Sequence, residues 1–235
     1  MGVTEIVAVT GVVPVFTAAN AEIFPVPLPA KPIEVDWRDR PPSPAWNWWR
    51  PVGGELVTQW RTSPAVVDWN ADKINDLLIV DHEGYLAMFP RQRSGSSLSL
   101  LPGKRDFLGQ TYGPRHVVVS NQIAPLRLNA ETAGRSGRRK FCLADWDDDG
   151  RTDLLVDSEN VSFLRNTPTA GSPSTVTFVD HGPVSKQRLA GHTTSPTTVD
   201  WDGDSIRDLL VGGEDGYLYY LRNPQSKDPN NSIQP

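Results

Sequence analysis

The chain has 235 residues, enough for one large domain or two small ones with a sizeable core, and a formal net charge of −5. Its 21 prolines and 19 glycines, set against 38% hydrophobic residues, exclude a helical bundle and point to β-structure broken by many turns. The single cysteine, Cys142, excludes an intrachain disulfide framework, and its setting in the apolar run FCLA marks a buried, inert thiol.

Residues 6–30, IVAVTGVVPVFTAANAEIFPVPLPA, contain no lysine or arginine. Pro14, Pro25, Pro27 and Pro29 interrupt the run, Glu22 sits inside it, and no basic residue precedes it. The stretch therefore reads as two short strands with an irregular connection, not as a membrane span or a recognisable signal peptide. A Trp/Pro-rich segment follows, with PAWNWWRP at 44–51 carrying Trp46, Trp48 and Trp49. The earlier VDWRDR at 35–40 is a weak echo of what comes next, and residues 1–61 are expected to hold N-terminal strands and at most a degenerate repeat unit.

Three later segments, 62–91, 137–166 and 194–223, share one frame. Each has Asp-Trp, an Asp at the fifth position of the loop so begun, another at the ninth, and Leu-Leu directly after. Short apolar or β-branched residues lead in, and LLIV, LLVD and LLVG follow, the pattern of strands buried on both faces. Glu83-Gly84 and Asp215-Gly216 are hairpin residues, and YLAMF and YLYYL are the strands after them. The unit is strand, acidic loop, strand, hairpin, strand. Repeats of this size predict an all-β fold: a β-propeller or part of one, three clear blades and four or five in total, with antiparallel sheets across residues 62–235. Residues 93–136, rich in Gly, Ser, Pro and Arg, are expected to give an outer strand or two and a long surface loop.

Loop positions 1, 3, 5 and 9 are Asp68, Asn70, Asp72 and Asp76 in the first repeat. They are Asp145, Asp147, Asp149 and Asp153 in the second and Asp200, Asp202, Asp204 and Asp208 in the third. Oxygen ligands at alternate positions of a wrapped loop suit a hard cation that takes six to eight oxygens, with the position-7 carbonyls of Ile74, Arg151 and Ile206 adding one each. Ca²⁺ fits this better than Mg²⁺, which keeps its waters, and zinc or iron would call for His or Cys. Three bound Ca²⁺ would bring the net charge from −5 to +1, so the acidity reads as a metal requirement. Position 6 needs a sharp backbone turn, and only the second loop has glycine there, Gly150; Lys73 and Ser205 stand in the others. The second loop is thus the best formed and the first the weakest, with Asp148 pointing outward. An EF-hand is excluded, because position 12 is Ile79, Val156 or Val211 where Glu would be required.

DWNADKIND, DWDDDGRTD and DWDGDSIRD resemble the FG-GAP and VCBS repeats, the calcium-binding blades of integrin α-chain propellers and of many bacterial secreted proteins. The resemblance spans residues 62–223 and implies up to three structural Ca²⁺ and an extracellular or periplasmic setting. It also implies either an exported protein that binds or processes an anionic, uronate-containing polysaccharide, or a non-catalytic adhesion propeller binding a cell-surface ligand. Some bacterial relatives look like polysaccharide lyases acting on rhamnose and uronate glycans, and a chain of this length could be part of a larger propeller enzyme with further blades. Candidate glycan contacts are Trp48 and Trp49, with a hydrophobic plug as the alternative, and Arg138 and Arg139 of GRSGRRK, with a solvated loop as the alternative. His192, with Tyr112 or Tyr85, is a candidate acid-base pair for an elimination. No nucleophile elbow, phosphate loop, zinc motif, nucleic-acid patch or membrane span is present in the sequence.

Overall fold

The computed structural model of the protein describes residues 12–14, 25–27, 31–43, 53–130, 139–169, 172–189 and 193–226. Of the sequence candidates, Trp48, Trp49, Arg138 and His192 lie outside the described residues. Two compact units are present, Met1–Ile33 and Glu34–Pro235. In the first, β1 (Val12–Pro14) and β2 (Pro25–Pro27) pair antiparallel, as the proline-broken sequence predicts.

The second unit is built around the repeats, antiparallel meanders of three strands in the first and third and four in the second. Repeat sheet 1 is β3 (Ala65–Val67), β4 (Asp76–Val80) and β5 (Leu86–Phe89). A hairpin of β6 (Arg91–Ser94) and β7 (Ser97–Leu100) follows, and then β8 (Phe107–Tyr112) and β9 (Val118–Pro125). Repeat sheet 2 is β10 (Phe141–Ala144), β11 (Asp153–Val156), β12 (Ser162–Thr169) and β13 (Ser172–Pro183). Repeat sheet 3 is β14 (Ser195–Val199), β15 (Asp208–Gly212) and β16 (Leu218–Leu221). The architecture is all-β, and no closed ring of sheets forms among the described residues.

Residues 93–136, expected to give an outer strand or two and a long surface loop, do supply strands, and two of them extend a repeat sheet. β8 and β9 join repeat sheet 2 through a parallel pairing of β8 with β13, making a six-stranded sheet in the order β10-β11-β12-β13-β8-β9. Phe107 and Tyr112 explain why: they bury almost completely in the largest core, so these residues have apolar surface to remove from water despite their Gly/Ser-rich neighbours. VDWRDR at 35–40 does not form a repeat unit; Val35 and Trp37, with Leu56, cover the outer side of repeat sheet 1.

Period-2 alternation sets how the sheets stack. Leu-Leu after the ninth loop position sends one side chain to each face. Leu77 meets the 34–57 segment, whereas Leu78 and Leu154 share the core between repeat sheets 1 and 2. Leu155 and Leu209 share the core between repeat sheets 2 and 3. The first Leu of each pair faces the preceding layer and the second faces the following one. The first strands converge: β10 packs between β3 and β14, and these strands line a cavity of about 530 Å³. The stack therefore places all three acidic loops in the same place, between the first and second strands of a sheet.

Candidate metal centres in the acidic loops

The loops have one backbone solution. Positions 4 and 6 both lie in the left-handed region in all three: Ala71 and Lys73 (φ 60° and 68°), Asp148 and Gly150 (58° and 83°), Gly203 and Ser205 (80° and 73°). The position-6 turn is thus adopted even where glycine is missing, at roughly 1 kcal/mol per non-glycine residue. Position 4 repeats the turn, a feature the sequence did not signal.

The position-1 carboxylate holds that turn. Asp68 accepts from the backbone N–H groups of Asp72 (3.0 Å) and Lys73 (2.9 Å). Asp145 accepts from Asp149 (3.0 Å) and Gly150 (2.8 Å), and Asp200 from Gly203 (2.8 Å) and Ser205 (3.1 Å). At position 5, Asp72, Asp149 and Asp204 each accept from the amide of position 7, at 2.8, 3.0 and 2.9 Å. Charge-assisted bonds contribute roughly 1.5–3 kcal/mol each, and the lower end in such partly exposed loops is enough to offset the backbone strain.

Position 9 differs. Asp76, Asp153 and Asp208 are fully buried. Asp153 accepts from the amides of Trp146 (2.9 Å) and Asn166 (2.8 Å), and Asp208 from those of Trp201 (3.2 Å) and Asn223 (2.8 Å). Asp76 accepts from Arg91 (3.0 Å). Asp153 and Asp208 thus tie the start of the loop to the third strand or the residues just after it, while Asp76 Oδ2 is buried without a hydrogen-bond partner; the clusters of the second and third loops comprise positions 1, 3 and 5. Burial pushes the Asp153 carboxyl upward, against the two amide bonds that favour its charged form.

Two of those clusters can hold a cation: Asp145, Asp147 and Asp149, and Asp200, Asp202 and Asp204, with oxygens all within 4.8 Å of one another. Two oxygens each about 2.4 Å from one Ca²⁺ can be no further apart than about 4.8 Å, so the spacing suits that ion. The donor set is oxygen only, and it leaves unmet demand: Asp147 Oδ1 and Asp204 Oδ2 are buried without a hydrogen-bond partner. In the first loop Asn70 replaces the middle carboxylate and donates to Asp72 (3.0 Å), so the repulsion there is already relieved.

Arginines from the third strands also balance the charge. Arg165 contacts Asp147 (2.5 Å) and Asp149 (2.8 Å), and Arg222 contacts Asp202 (2.8 Å). Burial works to raise the Asp149 carboxyl, yet bonds from Arg165 and the Arg151 amide outweigh it and hold the group below the usual range. The Ile206 amide does the same for Asp204. Sequence reading passed over both arginines, although Leu-Arg-Asn ends the second and third repeats and was there to be seen. Asp148 is exposed, as expected, and burial pushes the Cys142 thiol up to about 12.

The carbohydrate candidates fare differently. Arg139 is only 3% exposed. It donates to the carbonyls of Leu128 (2.7 Å) and Asp157 (2.9 Å), to that of Gly113, and to the Asp157 carboxylate (3.1 Å). It pins buried backbone and offers no exposed fork to a glycan carboxylate, so both the clamp and its alternative, a solvated loop, are corrected for this residue: a buried Asp partner, invisible from local sequence, draws it inward. Tyr112 is fully buried and stacks on His116 (3.9 Å between rings), whose Nε2 meets Asp180 at 3.1 Å. Tyr85 lies between the guanidinium groups of Arg105 and Arg127, at 4.1 and 5.0 Å. A second cavity, about 540 Å³, opens beside the first loop and is lined by Asp68, Trp69, Asp106, Arg151 and Asn166 among others. Among the described residues no helix is long and apolar enough to cross a membrane.

Comparison of the chain with known protein families, with curated proteins and with solved structures finds no match.

Proposed function

We propose that the protein is a Ca²⁺-stabilised β-repeat scaffold, a propeller or part of one, in which the ions lock the loops between the first and second strands of the sheets. The observation that carries this is the pair of buried carboxylate oxygens without a hydrogen-bond partner, Asp147 Oδ1 and Asp204 Oδ2, the latter with only Arg222 at 3.7 Å, inside two clusters whose spacing suits one hard cation. Asp145, Asp147 and Asp149, and Asp200, Asp202 and Asp204, are the ligands; Asp68, Asn70 and Asp72 make a third, weaker site. The ion supplies concentrated positive charge that relieves carboxylate repulsion without deprotonating or polarising anything. Thermal unfolding in Ca²⁺ and after thorough chelation tests the reading. Each site held at a hundred times its dissociation constant adds about 2.7 kcal/mol, and an unchanged melting temperature on chelation sinks the proposal.

The scaffold serves, in this reading, an exported protein that binds or processes an anionic polysaccharide. The resemblance of the loops supports it, and the 540 Å³ cavity, with Trp69, Arg151 and Asn166 beside Asp68 and Asp106 on its wall, is on a scale that suits a small ligand. Calorimetry with uronate oligosaccharides, together with the absorbance of an unsaturated product, separates the outcomes. Product formation supports a lyase, and binding alone a carbohydrate-binding scaffold. The absence of both overturns glycan recognition, and the adhesion reading then stands.

A further inference from the structure

Repeat equivalence picks out an apolar surface that no following layer covers among the described residues. The tryptophan at loop position 2 packs against the following layer in the first two repeats, half-buried in the first and buried in the second. Trp69 meets Phe107 edge to face at 5.0 Å, and Trp146, 7% exposed, lies in the core shared with repeat sheet 3, where Asn223 Nδ2 donates to its carbonyl at 3.1 Å. The third, Trp201, is 61% exposed. The same holds across the sheet. β-Ladder register makes Leu218 the counterpart of Leu86, which is fully buried, yet Leu218 is 67% exposed. Tyr220, opposite Leu210 in the ladder, is 43% exposed. Leu210, Leu218, Tyr220 and Trp201 therefore form the one face of this kind that no following layer covers among the described residues.

We propose that a second copy of this chain covers this face, the two repeat sheets 3 packing against each other about a two-fold axis. A head-to-tail stack is not open to a second copy, because the preceding face of its repeat sheet 1, carrying Leu77 and Ile79, is already filled by Val35, Trp37 and Leu56. The matching flat apolar face on a second copy is its own equivalent, which is the self-complementary geometry of a dimer. Size agrees. Trp201, Leu218 and Tyr220 together expose on the order of 400 Å² of mainly apolar surface, within the range of the largest patch on a monomer. Face-to-face packing removes about twice that, and the flanking Thr197 and Val199 bring the total to roughly 1,000 Å², the level at which specific interfaces begin. The inference is independent of whether the loops hold a cation.

Sedimentation velocity over a range of about 1 to 100 micromolar tests it. The wild-type chain is expected to move from monomer to dimer across that range. Leu218→Asp and Trp201→Ser, both at exposed positions outside the cores, are each expected to raise the dimer dissociation constant by about tenfold or more, with far-UV circular dichroism and melting temperature unchanged. A chain that stays monomeric throughout overturns the proposal, and so does a dimer that survives both substitutions. Should one variant misfold, the other decides.

Discussion

The division of labour between loop positions 3 and 9 makes a crossed prediction for Asp147 and Asp153. Asp153→Ala removes the acceptor of two buried amides, Trp146 N–H at 2.9 Å and Asn166 N–H at 2.8 Å, where no water can replace it. Each orphaned donor costs roughly 1–3 kcal/mol. The loss is partly offset because a buried carboxylate is itself penalised, as its raised pKa shows, so the net cost is about 2–4 kcal/mol. That cost is present with or without metal. Asp147→Asn keeps the shape but gives up one ligand charge and part of a half-exposed ion pair with Arg165, worth at most about 1 kcal/mol in chelator. In Ca²⁺ the same substitution also forfeits much of the linkage of its site, about 2.7 kcal/mol at a hundredfold excess over the dissociation constant. Urea unfolding of both variants and the wild type, in chelator and in Ca²⁺, measures all four differences. If the Asp153→Ala cost falls below about 1 kcal/mol in chelator, position 9 acts as a ligand and the assignment of these buried aspartates to backbone support is wrong.

Two glycines with similar dihedral angles should respond differently to alanine. Gly150 (φ +83°) has open space around its missing Cβ, so Gly150→Ala costs only its conformational strain, about 1 kcal/mol; at Gly84 (φ +91°) the new Cβ would overlap the Asn129 carbonyl oxygen, and the cost is several times larger by urea unfolding. Equal losses would contradict the steric argument. Arg139→Met strands the Asp157 carboxylate, whose pKa burial already raises, and is expected to destabilise by about 3–5 kcal/mol, with part of the loss recovered in Arg139→Met/Asp157→Leu. Burial lowers the His116 pKa against the opposing pull of Asp180, so the folded protein resists a proton that the unfolded chain accepts near 6.5. The stabilisation is complete above that value and drains away as pH falls from it through the folded pKa. Denaturant unfolding at pH 7.5 and 5.5, about one unit either side of the unfolded chain's value, should therefore show an acid loss that His116→Gln abolishes, and a variant with the same acid loss as wild type removes His116 from the account.

What the sequence disclosed and what it hid divide along the range of the interactions. The strands β4, β11 and β15, the hairpin glycines Gly84 and Gly216, and the repeat itself were legible because local pattern decides them. So was the demand for a left-handed residue at position 6, which Lys73 and Ser205 meet without glycine because Asp68 and Asp200 bind the amides on the far side of the turn. Long-range pairings were not legible. Nothing near Phe107 says that β8 will lie parallel to β13, and nothing in GRSGRRK says that Asp157 and three backbone carbonyls will draw Arg139 inside.

The aspartates show the same limit at the scale of one loop. Four carboxylates at alternating spacing look equivalent on paper, yet the fold sorts them by depth. Position 9 begins a buried strand, so Asp153 and Asp208 each spend their charge on two backbone amides, whereas Asp76 accepts from the Arg91 amide and leaves Oδ2 without a hydrogen-bond partner. Positions 1 and 5 close the turn with one oxygen or both, and position 3, with the fewest backbone donors near it, is left facing Arg165 or Arg222. A guanidinium satisfies the outer oxygen of Asp147 and leaves Oδ1 unmet. The physical case for a cation therefore rests less on how many aspartates the loop contains than on which of their oxygens the protein fails to satisfy by itself.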